Sequence, residues 1–426
     1  MKNGFRQICY TKSGVVQYMF LYLMYISTSS VFYYYNSSSI RWVMIIVSLL
    51  SIIRIKGRSI GLEYIIPLTV LLVGMTLARW QNGGGYGFDV FLNIASVSCL
   101  TYCSYSIDCE NAVSRYIRLV YAMAVISIIC WIISFISPEL LKAVLLGDTN
   151  MFNGTKGSFI YSFHYAAWGQ GDYRNSGIFS EPGRYQCVLN SAIFFLLFMV
   201  KDLRFDQKER KKYLVVCIVA LLSTQSTTGY MGLTVMLIGF LLLHRDIMKG
   251  KILKVCMVVG IALGADFIIR GTASLVYQTV LSKVFSESGS FDINASTGVY
   301  RMNGITTCWM ILKDNLLGCG DRYTFLYQSL SGGVESAGAG LFVFAAVTGV
   351  ISTLGVLMMY LLPAIQRHFS VVQMFVYFFL ILNTASAQSD VMYACILCVA
   401  VFGSALSEYR GEVDYENRDS NISSCG

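Results

Sequence analysis

Long apolar stretches alternate with short hydrophilic gaps along this chain. A stretch of roughly 17 to 25 apolar residues crosses the ~30 Å hydrocarbon core of a bilayer as an α-helix whose backbone amides are all bonded internally. The chain has twelve mainly apolar stretches, near 15–35, 40–53, 61–78, 87–105, 117–137, 184–200, 213–225, 228–244, 252–269, 339–362, 371–388 and 391–407, of which 40–53 and 213–225 are shorter than that range. The pattern predicts an all-α, polytopic membrane protein with about twelve transmembrane helices.

The composition supports a bilayer as the solvent. Hydrophobic residues make up 55% of the 426 residues and charged residues only 13%. The mean hydropathy is +0.60. A water-soluble fold of this size would carry more charged residues on its surface and could not bury so many apolar side chains. The basic N-terminus runs into a long apolar span without an A-x-A-like site, which predicts an uncleaved first helix.

The distribution of Lys and Arg predicts the orientation. With a cytoplasmic N-terminus, 21 of the 32 basic residues fall in inside segments, and the short outside loops hold only Arg41 and Arg79. Cytoplasmic loops of membrane proteins carry this excess. Both termini, including the tail 408–426, are therefore predicted to be cytoplasmic. The net charge of +8 is explained by this orientation and requires no nucleic-acid partner.

Two outside segments are much longer than the other connections, namely 138–183 and 270–338. Long connections of this kind usually carry function. The second contains a stretch with helical periodicity from about Arg301 to Leu312, with Ile305, Trp309 and Leu312 on one face. No internal repeat or linker interrupts the chain, which we interpret as a single membrane domain over 1–426.

The cysteines and histidines do not predict a metal site. Cys395 and Cys398 form a lone CxxC inside the last span, and Cys308 and Cys319 both fall in the second long loop. The CxxC lacks the second pair that a zinc site needs. Cys308 and Cys319 could form a disulfide, which nothing in the sequence demands, and both pairs are interpreted as structural. His164 is the sole outward histidine, so no His-based metal site is expected outside.

A polar run from Ser223 to Gly229 separates two short apolar runs, 213–222 and 231–243. Two interpretations fit this run. It is a tight hairpin at membrane depth, whose hydroxyls satisfy freed backbone groups under a cover of protein or water. Alternatively, it is an ordinary polar turn outside the membrane. Either way it lies beside the long loops.

Two arginines are candidates for binding an anion. Arg184 follows a Pro182–Gly183 turn at the start of a helix, where a forked guanidinium and free backbone donors suit a phosphate. The alternative is an interfacial anchor paired with Glu181. Arg301, near the membrane exit of the second loop, is either placed to meet a lipid-linked anion or is a solvated loop charge.

Three local patterns together resemble the O-antigen polymerase and O-antigen ligase-like superfamily (Wzy-type). They are Arg174–Gly183 (RNSGIFSEPG), Thr224–Gly229 (TQSTTG), and Arg301 followed by Asn315–Gly320 (NLLGCG). About twelve spans and two large outer loops also match that layout. The likeness covers most of the chain as topology, but its motifs are short.

The resemblance implies a bacterial inner-membrane glycosyltransferase that acts on the periplasmic face. Such a polymerase moves a growing chain from its undecaprenyl diphosphate onto the terminal sugar hydroxyl of a new lipid-linked repeat unit. The reaction needs cations for the departing diphosphate and a base for the acceptor hydroxyl. The resemblance implies no metal and no cofactor. Expected partners are the lipid-linked oligosaccharide, membrane lipid and a chain-length regulator protein.

Carried over to this chain, the resemblance implies roles for particular residues. Arg184 and Arg301 are the first choices for binding the diphosphate, followed by Arg174. Glu181 is the first choice for the general base. His164, Asp172 and Glu335 are the next candidates. The aromatic cluster of Tyr161, Tyr165 and Trp168 is a candidate sugar-binding surface, although interfacial anchoring explains aromatic residues equally well.

Two other functions remain open. Ligase-like members have a His-Asn pair at the start of the helix after the second loop, whereas this chain has Glu335–Leu341 there without a histidine. That difference favours polymerisation of repeat units over transfer to lipid A core. A flippase or transporter of lipid-linked oligosaccharides would place ionisable groups near the midplane. Here Asp266 is the one acid deep within a late span, and the arginines gather in the outer loops instead.

Overall fold

The computed structural model describes residues 12–27, 62–82, 107–137, 148–149, 155–157, 160–164, 174–244, 296–331 and 340–387, with isolated positions at 39, 42–43, 46, 100, 103–104 and 140–141. This part of the protein is mostly helical. The helices are α1 (Lys12–Ser27), α2 (Leu62–Asn82), α3 (Cys109–Ile136), α4 (Pro182–Phe198), α5 (Gln207–Ser223), α6 (Thr227–Leu243), α7 (Ser296–Asp314), α8 (Tyr323–Ser331), α9 (Gly340–Gln366) and α10 (Val371–Ala387). Short 3₁₀ turns, Val200–Asp202 and Gly320–Arg322, follow α4 and precede α8.

Within the described residues, two helical segments are long and apolar enough to cross a membrane, Asn111–Ile136 and Gly340–Leu362. Three shorter apolar helices accompany them, Gly14–Ile26, Thr227–Leu243 and Val371–Ala385. These features are compatible with a membrane protein. The predicted spans 40–53, 87–105, 252–269 and 391–407 lie wholly or mostly outside the described residues, as does the tail 408–426. The other eight predicted spans each overlap a helix.

The prediction of an all-α chain needs one correction. The first long loop contains a small antiparallel sheet of three strands, β1 (Asp148–Thr149), β2 (Thr155–Gly157) and β3 (Ser162–His164). Thr155 pairs with both Thr149 and His164. Strands of two or three residues are too short to show an alternating pattern of apolar and polar residues, so the sequence contains no signal for them.

The helix predicted near Arg301–Leu312 is present as α7, which is longer at both ends. The predicted apolar face was only partly right. Leu312 is buried, but Trp309 is 60% exposed. Thr307, Cys308 and Ile311 are buried beside Leu312, and Cys308 and Ile311 belong to a cluster with Tyr327 of α8 and Ala346 of α9. The centre of the buried face thus lies roughly 100° around the helix from that of the predicted one, at ~100° per residue.

Helix α4 is the centre of the bundle. Every one of its residues except Gly183 is buried, and α5, α6, α3 and α10 all pack on it. Phe194 contacts Phe198, Phe369 and Tyr377 with ring centroids 5.1 to 6.0 Å apart. The second half of α4, residues 192–198, is apolar on all sides, and such a segment must be enclosed by other helices or by lipid. Here the neighbouring helices enclose it.

Hydrogen bonds between the helix ends define two ends of the bundle, one rich in charged residues and one rich in neutral polar residues. At the charged end, Arg204 N donates to Ser114 Oγ at 2.7 Å, and Arg367 donates to both carboxylate oxygens of Asp202 at 2.7 and 2.6 Å. At the polar end, Asn175 bonds to Ser223, and Asn383 Nδ2 donates to Thr228 O at 2.9 Å. The charged end collects residues that the charge pattern assigns to the cytoplasmic side. The polar end collects those assigned to the outer side.

Helices α2 and α9 cross at close range because glycines face the contact. A Cβ on Gly74 would lie 2.4 Å from the backbone nitrogen of Ser352, and one on Gly355 would lie 2.7 Å from that of Leu71. Small residues that let two backbones approach are typical of helix pairs in membranes. The crossing fixes α9 against α2 and so positions Asn82 at the end of α2.

Helix α9 is broken at Gly349, and the Asn315–Gly320 segment forms hydrogen bonds with the backbone on both sides of the break. Gly349 has φ 85° and ψ 174°, which interrupts the helical hydrogen bonds. Val350 N donates to Leu316 O at 2.9 Å, and Cys319 N donates to Ala346 O at 2.9 Å. A break in a helix leaves donors and acceptors that are costly to bury without partners. The third sequence pattern therefore supplies the partners that the broken helix needs.

We predict that Gly349→Ala strongly destabilises the protein. The positive φ strains any residue with a Cβ, at about 1–3 kcal/mol, and that Cβ would lie 2.4 Å from the carbonyl carbon of Leu317. The midpoint of thermal unfolding in detergent, followed with a thiol-reactive dye, is expected to fall by several degrees. Val350→Ala is the matched control, because its side chain is 37% exposed. Equal midpoints for the two variants would contradict this account of the break.

Candidate functional site

Asn175 holds the end of the first long loop onto the polar end of the bundle. It is fully buried. Its backbone nitrogen donates to Ser223 O at 3.0 Å, and its Nδ2 donates to Ser223 Oγ at 2.9 Å and to Ser127 Oγ at 3.1 Å. Its Oδ1 accepts from Gly177 N at 3.0 Å. One side chain thus connects the loop, α3 and the end of α5, which lie 48 residues apart along the chain.

The backbone from Gly177 to Ser180 turns tightly against α4. Gly177 has φ 58°, and a Cβ there would lie 3.1 Å from the ring of Tyr185. Phe179 is buried between Tyr25, at 5.4 Å between ring centroids, and Tyr185, at 5.7 Å. Ser162 of β3 donates its backbone nitrogen to Gly177 O at 2.7 Å. The described end of the loop is therefore packed against α4 and bonded to β3 on one side.

The polar run between α5 and α6 is a protein-covered hairpin. Ser223 and Thr224 donate their hydroxyls to the carbonyl oxygens of Ala220 and Leu221, each at 2.7 Å. Ser226 caps α6 by accepting from Gly229 N at 3.3 Å. The four hydroxyl residues Ser223, Thr224, Ser226 and Thr228 are all buried. Of the two interpretations of this run, the geometry matches the hairpin whose hydroxyls satisfy backbone groups beneath a cover of protein.

Arg184 lies in the first turn of α4, at the polar end of the bundle. It is 5% exposed and is the most buried charged residue that the structure describes. Its Nη1 donates to Ser180 Oγ at 2.8 Å, and its Nη2 lies 3.8 Å from Glu181 Oε1. Glu181 is 50% exposed. Of the two interpretations of Arg184, pairing with Glu181 is present, but at a long distance and through a carboxylate that is half in solvent.

Polar side chains continue along α4 behind Arg184. Asn190 Nδ2 donates to Gln186 Oε1 at 2.7 Å and to Gly229 O at 3.3 Å. Ser191 Oγ lies 2.8 Å from the hydroxyl of Tyr116. Gly229 and Gly232 make room for these side chains, because a Cβ on either would come within 3.0 Å of Gln186 or Asn190. A buried polar row therefore joins α4 to the α5–α6 hairpin.

The third pattern lies on α9 and reaches the end of α2. Asn82 Nδ2 donates to Gly318 O at 2.7 Å, and Arg322 Nη2 donates to Asn82 Oδ1 at 2.5 Å and to Asn315 Oδ1 at 3.3 Å. Arg322 is exposed. The Asn315–Gly320 pattern is thus a docking segment that fixes an exposed arginine near α7. No pattern in the sequence singled out Arg322 as a site residue.

The structure describes the other predicted site residues to different extents. Arg174 is described and half-buried, next to Asn175. Arg301 lies in α7, and His164 pairs in β3, but the structure does not describe their side chains. The other four, Tyr165, Trp168, Asp172 and Glu335, lie outside the described residues.

Tyr161 is part of the packing of the first loop. It is 2% exposed and lies in a cluster with Leu141, beside Cys130 and Ile133. Burial raises the pKa of its phenol well above the usual value. Its ring face is covered by these neighbours, so in this conformation Tyr161 supports the loop and cannot stack on a sugar.

The described residues contain no group of three or more His, Cys, Asp and Glu side chains that could hold a metal ion. Cys308 and Cys319 are both free and buried. Burial raises the pKa of both thiols, to about 11 for Cys319. They therefore stay protonated and unreactive near neutral pH. Cys395 and Cys398 lie outside the described residues.

No protein-family profile matches the chain, and a search of curated proteins finds no similar sequence.

We predict that Asn175→Ala loosens the polar end. The substitution leaves the buried Gly177 nitrogen without its acceptor, and a buried donor left unsatisfied costs about 1–3 kcal/mol. The hydroxyls of Ser127 and Ser223 lose the bond from Asn175 and keep those to Ala124 and Ala220. The thermal midpoint in detergent should fall clearly. Glu181→Gln is the control, since that half-exposed side chain makes only a long ion pair and should change the midpoint little. An Asn175→Ala protein as stable as Glu181→Gln would disprove the anchoring role.

Proposed function

We propose that this chain is a polytopic protein of the bacterial inner membrane that polymerises undecaprenyl-diphosphate-linked oligosaccharides on the periplasmic face. We propose that it has about twelve transmembrane helices and that both termini lie in the cytoplasm. The reaction needs neither metal nor cofactor. The product is O-antigen or a related surface polysaccharide, whose length a partner protein regulates.

One observation carries most of the weight. The two patterns Arg174–Gly183 and Thr224–Gly229, both of which contribute to the family resemblance, are packed at the same polar end around Arg184. Asn175 bonds to Ser223, directly before the second pattern, and Gly229 O accepts from Asn190 of α4. Segments that are far apart in sequence and meet at a buried cation are typical of a built site. Residues with purely local roles would have no reason to converge there.

The chemistry assigns a task to each group. The acceptor hydroxyl oxygen attacks the anomeric carbon of the lipid-linked chain, and the bond from that carbon to the diphosphate oxygen breaks. The electron pair leaves with the diphosphate, and a base takes the hydroxyl proton. Cations stabilise the charge that grows on the leaving group. Arginine suits this task because it stays charged and donates in a fork.

The burial of Arg184 supports a division of roles among the three arginines. Arg184 is held against Ser180, beneath the surface of the loop. We propose that it supplies a fixed positive potential at the start of α4 and reaches the ligand only along its exposed edge. Half-buried Arg174 and the outer-loop Arg301 then make the wider contacts. Glu181 is our first choice of base, because its carboxylate is half exposed and close to Arg184; His164, Asp172 and Glu335 are the other candidates.

A transporter is the main alternative from another class. Transporters place ionisable groups in the middle of their spans, facing a cavity. Among the described residues, Arg184 is the charged residue that is most completely buried, and it lies at a helix end. That position favours a site at the membrane surface. A ligase remains the alternative within the same family.

The decisive variants change Arg184 in a strain that lacks its own copy of the gene. We predict that Arg184→Met, which keeps much of the volume but removes the charge, lowers polymer output about 10²-fold, as does removal of other charge-stabilising groups. Arg184→Lys should retain part of the output. The measurement is lipopolysaccharide banding, at membrane abundance matched by immunoblotting.

Arg79→Ala is the matched control, because Arg79 is an exposed arginine in the last turn of α2. It should give the ladder of the wild type. A normal ladder from abundant Arg184→Met protein would remove Arg184 from the site. A normal ladder in the deletion strain would disprove the proposed function itself.

A further inference from the structure

A cleft of about 270 Å³ opens between α7 and α8, in the second long loop. Seven residues line it: Asn303, Thr306, Thr307, Met310, Tyr327, Leu330 and Ser331. Four come from successive turns of α7 and three from α8. Tyr327 stacks on Tyr323 at 5.5 Å between ring centroids and belongs to the cluster that joins α8 to α7 and α9. The wall that holds Tyr327 is therefore part of a packed core.

The polar lining is neutral. It consists of one amide and four hydroxyl-bearing side chains, and none of the seven residues carries a charge. Thr307 is 4% exposed and lies deep, whereas Asn303 and Thr306 are exposed at the rim. The Thr306 hydroxyl donates to Asn303 O at 3.0 Å, and a hydroxyl oxygen can also accept hydrogen bonds. Such groups match the hydroxyls of a ligand, whereas a diphosphate needs cations.

Apolar groups lie beside these hydrogen-bonding groups. Met310 is 45% exposed and Leu330 is 50% exposed, one on each side of the cleft. A sugar ring has hydroxyls around its edge and C–H groups on its faces, so it makes both kinds of contact. The volume lies just below the range of about 300–1,000 Å³ found for drug-sized ligands. It therefore suits one sugar residue better than a longer oligosaccharide.

We propose that this cleft binds one sugar residue of the acceptor repeat unit. The inference rests on the proposed function, because it assigns the neutral half of the substrate to a place separate from the arginines. Asn303 follows Arg301 by two residues in α7. A single helix thus carries both a candidate for the lipid diphosphate and part of a wall for the sugar.

The test measures binding and does not depend on turnover. The full-length protein in nanodiscs is titrated with the delipidated repeat-unit oligosaccharide, released by mild acid from the lipid-linked pool of the same cells, in a calorimeter. The variant Asn303→Leu/Thr306→Val keeps the side-chain volumes and removes one amide and one hydroxyl. We expect its Kd to rise at least tenfold. Thr324→Val/Ser329→Ala is the matched control, since both residues are exposed on α8 and do not line the cleft.

Each outcome has a defined meaning. An unchanged Kd for the cleft variant would overturn the inference. So would weakened binding of the undecaprenyl phosphate carrier alone with intact oligosaccharide binding, because the cleft would then hold the lipid. If deletion of the gene abolishes polymer but the cleft variant binds normally, only the inference fails. If deletion leaves polymer unchanged and the wild type does not bind the oligosaccharide, the proposed function fails as well.

Discussion

The need to satisfy every backbone donor and acceptor inside an apolar bundle governs this structure. Where a helix ends or is broken at a position shielded from water, its free N–H and C=O groups cost several kcal/mol unless the protein supplies hydrogen-bond partners. The chain meets this need in two places. Asn175 and the hydroxyls of Ser223, Thr224 and Ser226 do so at the α5–α6 hairpin. The Leu316 carbonyl and the Cys319 nitrogen do so at the break in α9. The three patterns that resemble a family are these partner segments and their surroundings.

This constraint also connects the fold to the candidate site. Because Asn175 fixes the end of the loop on α3 and α5, the residues from Gly177 to Arg184 pack against α4, and the cation is held beneath them. A preorganised charge costs no rearrangement when a negative leaving group develops, which is the basis of electrostatic catalysis. The break in α9 has a parallel effect, since it fixes the segment between α7 and α8. Both long loops are thus attached to the bundle by backbone hydrogen bonds close to their candidate substrate contacts.

Within the described residues, long apolar runs correctly predicted helices such as α3 and α9, and the Pro182–Gly183 turn located the end of the first loop. It missed what has no periodic signal. Helix α5 begins at Gln207, six residues before the predicted span, because a hydrophilic turn capped by Asp206 precedes the apolar run. The break at Gly349 was hidden within an apolar stretch. The burial of Arg184 and Tyr161, and the role of Asn175, depend on contacts between distant segments, which spacing along one chain does not encode. Ser127, Ser162 and Asn82 were missed for the same reason.

The most direct test of the central claim is polymerisation by the purified protein. The protein is reconstituted in liposomes without divalent cations, supplied with lipid-linked repeat units on its outer-loop face, and both products are measured over time. The account predicts a ladder of lipid-linked oligomers and the release of one undecaprenyl diphosphate for each bond formed. Transfer of intact repeat units across the bilayer, without oligomers and without released undecaprenyl diphosphate, would contradict the account and make the protein a transporter.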